Sequence, residues 1–272
     1  MDIALQILAF CLLLGALVGF LAGLLGIGGG LVIVPVLLVL LPLTQVSDQV
    51  LMPMVLGTSL AAILLTSIST LIAHHRSGNI PKKILPYILS GIGFGALVGS
   101  YFADTIPSHL LKLFFACFVI LMSFQMWLGA KKTEHTNRPL SQLPKAKLVG
   151  VSSIIGTLSS LLGIGGGVIL VPYLTSVEKL DMRRTIGASA SGGFVVASMG
   201  SLGYLWAGLH TKQLLPEWSL GYIYLPAFIG IICLSLFTAP LGVKVAKQLP
   251  VKVLKRCFSV LLFIVGTKIL IG

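Results

Sequence analysis

Gly19 to Pro35 reads GFLAGLLGIGGGLVIVP, and Gly156 to Pro172 reads GTLSSLLGIGGGVILVP. Eleven of the seventeen aligned positions are identical, so the chain carries one device twice. In each copy an apolar segment meets the break GIGGG and resumes as a shorter apolar segment that carries a proline. A helix interrupted among hydrocarbon leaves backbone groups that must find partners there. Gly26, Gly28, Gly29 and Gly30, with Gly163, Gly165, Gly166 and Gly167, can adopt backbone angles closed to other residues and present bare N–H groups to a ligand. The two breaks are therefore expected at the centre of the functional site.

The rest of the composition says what kind of molecule holds them. Of 272 residues, 56% are hydrophobic and only 10% charged, and the mean hydropathy is +1.05, which excludes an ordinary soluble domain. The net charge of +12 does not point to nucleic acid, because the basic residues sit in short clusters between apolar runs long enough to cross a ~30 Å hydrocarbon core. Their expected job is topology. Cys11, Cys117, Cys233 and Cys257 lie inside apolar runs without CxxC or CxxH spacing, so no disulfide frame or metal site is expected and they read as small packing residues. The opening Met1-Asp2 lacks the basic region of a signal peptide, so the first apolar run is expected to stay in the membrane.

Apolar segments run at roughly 3–25, 30–43, 50–73, 84–103, 110–129, 148–162, 167–177, 185–208, 219–242 and 253–271. Residues 1–129 make a first membrane repeat, 130–147 (AKKTEHTNRPLSQLPKAK) a basic linker, and 148–272 a second repeat. The halves correspond beyond the glycine motif: Gly57-Thr58-Ser59 answers Gly187-Ala188-Ser189, and Pro107 with Leu110-Leu111-Lys112 answers Pro250 with Val253-Leu254-Lys255. The expected fold is an all-α polytopic membrane protein of two inverted repeats. Each repeat has a glycine-tipped broken helix or re-entrant hairpin plus three transmembrane helices, for about 8–10 membrane segments.

Charge decides how the chain passes the breaks. If it crosses straight through each GIGGG, the nineteen Lys and Arg residues divide ten to nine between the two sides. If each GIGGG is the tip of a hairpin, they divide sixteen to three, leaving only Lys112, Lys212 and Lys268 on the poor side. The positive-inside rule selects the hairpins and puts the linker in the cytoplasm and both termini outside an inner (plasma) membrane. Trp206, Trp218 and Tyr222 then fall at outer ends of segments and Trp127 at an inner end, as in interfacial belts. From helical rise, the arm from Lys147 to Leu162 spans about 22 Å and the return arm about 15 Å, so the second tip stops within the bilayer. The first entering arm is longer, with length to tilt or to cross fully.

Two hairpins entering from opposite faces bring both tips to the midplane, where inverted-repeat transporters hold their substrates. A short helix starts after each tip, near Leu31 and Val168, and its first turn combines unbonded N–H groups with the positive end of the helix dipole. Such ends receive anions. The candidate substrate-binding residues are Gly28, Gly29, Gly30, Gly165, Gly166 and Gly167, with Thr58, Ser59, Ser189 and Ser191 as hydroxyl donors about 12 Å or similar depth into their segments. Against this, the glycines would serve only close helix packing, and the hydroxyls would bond their own helix backbone. Gly91, Gly95 and Gly99, at four-residue spacing, do read as a packing face. Gln125 lies inside the fifth segment, and Lys268 is expected to snorkel to the outer surface. His74, His75 and Arg76 read as a solvated cap at a helix C-terminus.

No enzyme constellation is present: no histidine lies mid-segment beside a serine, and Gly26-Ile27-Gly28 is followed by Leu31 where a dinucleotide motif needs glycine. No cofactor is expected. The paired motif Leu25-Gly26-Ile27-Gly28-Gly29-Gly30 with Pro35, its second copy ending at Pro172, and the basic linker between halves resemble the sulfite exporter TauE/SafE family of membrane permeases. That resemblance covers nearly the whole chain and implies transport of a small sulfur-containing anion such as sulfite, a sulfonate or sulfoacetate. The expected partners are this small anion and the lipid bilayer. The alternative is a membrane assembly or scaffold protein whose glycine breaks are structural.

Overall fold

The computed structural model describes residues 3–25, 29–76, 80–128, 144–246 and 251–271. The described residues are mostly helical. In the first half they form α1 (Ile3–Leu25), α2 (Gly30–Leu40, continued by a 3-10 turn to Thr44), α3 (Asp48–Arg76), α4 (Leu85–Phe102) and α5 (Ser108–Leu128). The second half contributes α6 (Lys145–Leu161), α7 (Gly167–Pro172), α8 (Met182–His210), the two-residue strands β1 (Ser219–Leu220) and β2 (Ile223–Tyr224), α9 (Leu225–Ala246) and α10 (Val251–Ile271). Asp48–Arg76, Leu85–Thr105, Ser108–Leu128 and Arg184–His210 are each long and apolar enough to cross a membrane. Shorter apolar helices accompany them, Gly30–Thr44 and Gly167–Val177 among them.

The apolar runs became helices because hydrocarbon leaves the backbone no other donor or acceptor. Pro35 and Pro53 lie inside α2 and α3, whereas Pro172 coincides with an irregularity. Pro172 ends α7, and the next turn, Tyr173–Val177, widens into a π-helix, as expected where a ring removes one N–H from the ladder. The tail of the linker, Lys145–Lys147, is already the first turn of α6.

One segment departs from its expected form. The ninth apolar run, read as membrane helix from 219, opens as a tight hairpin in which Ser219 pairs with Tyr224 and Leu220 with Ile223. Gly221 turns the chain with φ 55°, and a Cβ there would meet Leu205 O at 2.4 Å, so only glycine fits. The helix begins at Leu225, with Pro226 in its first turn. Tyr222 is consequently buried within the protein and donates its hydroxyl to Asp104. Burial, and then the neighbouring carboxylate, push the Tyr222 phenol above its usual range.

Helices from the two halves interleave. α1 packs along α9, α4 along α6, α3 against α8 and α5 against α10. Glycine makes the first two approaches close. On α4, added Cβ atoms at Gly91, Gly95 and Gly99 would lie 2.4 Å from Val149 O, 1.9 Å from Ser153 O and 2.3 Å from Ser160 Oγ, so backbone lies on backbone as the GxxxGxxxG spacing predicts. Thr157 Oγ1 donates to Gly95 O at 3.0 Å across that contact. The same register recurs between α1 and α9. Gly19 lies against Ser235 and Gly156 against Ile92, and Ser235 is the position that the Pro107/Pro250 alignment matches to Ile92. Between α5 and α10, Ser123 and Ser259 each donate to the other's carbonyl at 2.8 Å. Cys11 is buried in the α1–α9 contact, whereas Cys117 and Cys233 are exposed on the outer surface of the bundle.

Candidate functional site

Each break ends in a left-handed residue. Gly29 (φ 78°) and Gly166 (φ 68°) stand immediately before α2 and α7. Their carbonyls start the helices, accepting from Val32 and Ile33 N–H at 2.9 and 3.0 Å and from Ile169 and Leu170 N–H at 3.2 and 2.9 Å. A side chain with a Cβ pays roughly 1–2 kcal/mol in that conformation, so the third glycine of GIGGG is required by the turn itself. Both helices begin one residue before the expected Leu31 and Val168.

The two tips touch. A Cβ on Gly30 would sit 2.7 Å from Gly163 O and 2.9 Å from Ile164 Cα, so the start of α2 rests on the turn before α7. Ser59, on α3, fixes the contact by donating to Gly163 O at 2.8 Å from a fully buried position. The surrounding shell is apolar: Leu56 and Ile63 of α3, Val34 of α2 and Val196 of α8 crowd Gly163, Gly165 and Gly166. In this arrangement the tips are closed on each other.

The expected N–H donors are partly engaged. Gly166 and Gly167 N–H bond back to Ile164 O at 2.9 Å and Gly165 O at 2.7 Å, which leaves Gly165 and Val168 N–H without a backbone acceptor among the described residues. Gly28 lies outside the described residues. Of the four hydroxyl candidates, Ser59 is committed to Gly163, Ser191 donates to Gly187 O of its own helix at 3.0 Å, and Thr58 Oγ1 accepts from Tyr224 N–H at 3.0 Å. Ser189 differs. Its Oγ lies 2.8 Å from the place a Cβ on Gly167 would occupy, and it makes no hydrogen bond to the described residues.

Two further buried groups had no signal in the spacing, one at this centre and one at the opposite end of the α6 and α7 arms. Ser159, inside the second copy of the motif, is fully buried beside Gly166 with no hydrogen-bond partner for its Oγ. The clue available in sequence was the mismatch between copies, Ser159 standing where the first copy has Ala22. Glu178, one residue past the seventh apolar run, is fully buried. It accepts from Lys147 Nζ at 3.0 Å and from Tyr173 Oη at 2.8 Å, tying the beginning of α6 to the end of the α7 arm. A carboxylate so enclosed needs such donors to stay ionised.

The chain matches the family described as Sulfite exporter TauE/SafE over residues 11–269. It is 40% identical to a probable membrane transporter protein of Haemophilus influenzae, over 94% of this chain and 95% of that protein. A probable membrane transporter protein of Methanocaldococcus jannaschii is 30% identical over 96% and 95% of the two chains, and another from Bacillus subtilis, YunE, is 24% identical over 94% and 95%. No solved structure matches the chain.

Proposed function

This chain belongs to the sulfite exporter TauE/SafE family and is a multi-pass membrane transporter, not an enzyme, and from that premise we propose a gradient-driven permease for a small sulfur-containing anion, sulfite, a sulfonate or sulfoacetate. The anion is held where Gly29–Gly30 and Gly165–Gly167 face each other, and the closed tips part to admit it. The observation that carries this reading is the direct contact of Gly30 with Gly163. Glycines that served only packing within each half would not bring the two copies of one motif together at the centre of the bundle.

Helix directions support the hairpin form of the fold. Contacts rise together along α4 and α6, from Gly91 with Val149 to Gly99 with Thr157, so these helices are parallel. They rise together along α4 and α8 as well, from Gly192 with Ile92 to Gly203 with Ser100. Because α6 and α8 share a direction, the α7 arm between them runs back. By the same logic α1 runs with α9, from Gly230 with Cys11 to Gly19 with Ser235, while α3 opposes α8, with Gly57 on Tyr204 and Gly200 on Leu60. The α2 arm therefore also returns, and α1 and α6 point in opposite senses, which favours inverted repeats with residues 130–147 in the cytoplasm and both termini outside the inner membrane.

Two measurements test this. In proteoliposomes, sulfite or sulfonate flux is expected to be competed by other small sulfur oxyanions and untouched by a cation of equal size, since the site offers donors and no fixed cation. Competition by the cation as strong as by the anions would refute the anion site, and an absence of flux across the anion panel would favour the scaffold reading. For orientation, a version lacking native cysteines and carrying Leu214→Cys, 93% exposed, should react with an impermeant thiol reagent in spheroplasts, whereas Lys83→Cys should not. The reverse pattern overturns the topology.

A further inference from the structure

We propose that the two tips are unequal and that the second one alone grips the anion, through the hydroxyls of Ser159 and Ser189. The inference rests on the transporter reading and names the ligands within it. Ser159 is 0% exposed and its Oγ has no partner. That Oγ lies 3.6 Å from where a Cβ on Gly166 would stand, and Ser189 Oγ lies 2.8 Å from the corresponding point on Gly167. Helices α6 and α8 thus place two uncommitted hydroxyls on consecutive residues of one turn.

The serines of α6 fall into two groups. Ser153 donates to Val149 O at 3.0 Å and Ser160 to Thr157 O at 2.9 Å, bonding back to the helix's own carbonyls, whereas Ser152, which lies against Gly91 of α4, and Ser159, which lies against the tip, are buried without a partner for their Oγ atoms. A buried hydroxyl left without a partner is destabilising, and one that persists calls for an explanation such as a ligand. Alanine is compatible with the motif, because the first copy has Ala22 at the equivalent position.

The first half lacks this pair. The alignment of Gly57 with Gly187 matches Ser189 to Ser59, and the Ser59 hydroxyl is committed to Gly163 O. Gly29, Gly30 and Leu31 are buried, so the first tip forms a wall against which the second is pressed. Two hydroxyls and the Val168 N–H, which has no backbone acceptor among the described residues, make three donors. With the Gly165 N–H, which is likewise without a backbone acceptor among the described residues, they are enough to give each oxygen of a sulfite or sulfonate group at least one donor.

The test uses the full chain in detergent, with sulfite and methanesulfonate as probes. Ser159→Ala is expected to leave the ligand-free melting temperature unchanged or raise it, because it removes an unsatisfied polar atom. It should weaken anion binding about tenfold, the effect of one lost hydrogen bond. Ser153→Ala should bind as the wild type does. Ser59→Ala should lower the melting temperature, since it frees Gly163 O inside the core. Wild-type binding that Ser159→Ala leaves intact, or a lowered ligand-free melting temperature in that variant, overturns this inference and spares the transporter reading. A wild-type protein that binds neither anion overturns both.

Discussion

Gly30→Ala is expected to reduce anion transport at least about fivefold while the protein still inserts and folds. Gly30 is the first residue of α2 and does not have a positive φ, so alanine suits its local backbone and is favoured over glycine in a helix by about 1 kcal/mol. The objection is tertiary. The new methyl would lie 2.7 Å from Gly163 O, 2.9 Å from Ile164 Cα and 2.9 Å from Ile63 Cδ1, and the first two belong to backbone that cannot swing aside. Relief requires the tips to separate by a fraction of an ångström, and overpacking of this kind costs roughly 1–3 kcal/mol. Taken from the closed state of a transport cycle, that cost shifts the tip equilibrium about five- to 150-fold, a factor of ten for each 1.4 kcal/mol. Flux in proteoliposomes, measured beside size-exclusion profile and melting temperature, checks it. Normal flux in a folded Gly30→Ala protein would show that the tips need not close on each other.

Gly95→Val is expected to do the opposite, removing the folded protein and not merely its activity. A Cβ at Gly95 would fall 1.9 Å from Ser153 O and 2.7 Å from Ser153 C, inside the closest backbone approach between α4 and α6. Relief of such an overlap requires the helices to part along the whole face, because Gly91 and Gly99 on α4 and Gly156 on α6 depend on the same spacing. The Thr157 to Gly95 hydrogen bond would go with it. In lipid, where no hydrophobic force drives helix against helix, this contact area is what binds the pair. Membrane yield and monodispersity are expected to collapse. Gly150→Ala, a glycine of α6 with nothing within 4 Å of its added Cβ, should by contrast be neutral or stabilising by up to about 1 kcal/mol. A well-folded Gly95→Val protein would mean that the α4–α6 face does not hold the bundle.

The places where sequence reading succeeded share one property: the physics is local. Gly29 and Gly166 mark breaks because the positive φ of the turn excludes other residues. The ten apolar runs match the ten described α-helices in order, because hydrocarbon demands a helix from any run of that length and composition. The hairpin at residues 219–224 escaped for the complementary reason. Leu220, Tyr222 and Ile223 are as apolar as a membrane helix, and the close approach of Gly221 to Leu205 is a long-range contact that hydropathy does not record. Glu178 escaped likewise, since its burial depends on Lys147 and Tyr173 closing over it.

By itself, then, the sequence determined that this chain is a duplicated membrane protein with a glycine break in each half, and charge counting over its loops favoured the hairpins. Only the tertiary structure decided which surfaces meet: Gly30 on Gly163, the glycine face of α4 on α6, and Ser59 turned to the opposite tip while Ser159 and Ser189 stay uncommitted. Backbone angle, proline and hydropathy act within a few residues of their cause. The direction of a hydroxyl, and whether its proton is already bonded, is settled by whichever acceptor another helix brings within 3 Å, and for Ser59 that acceptor lies 104 residues away.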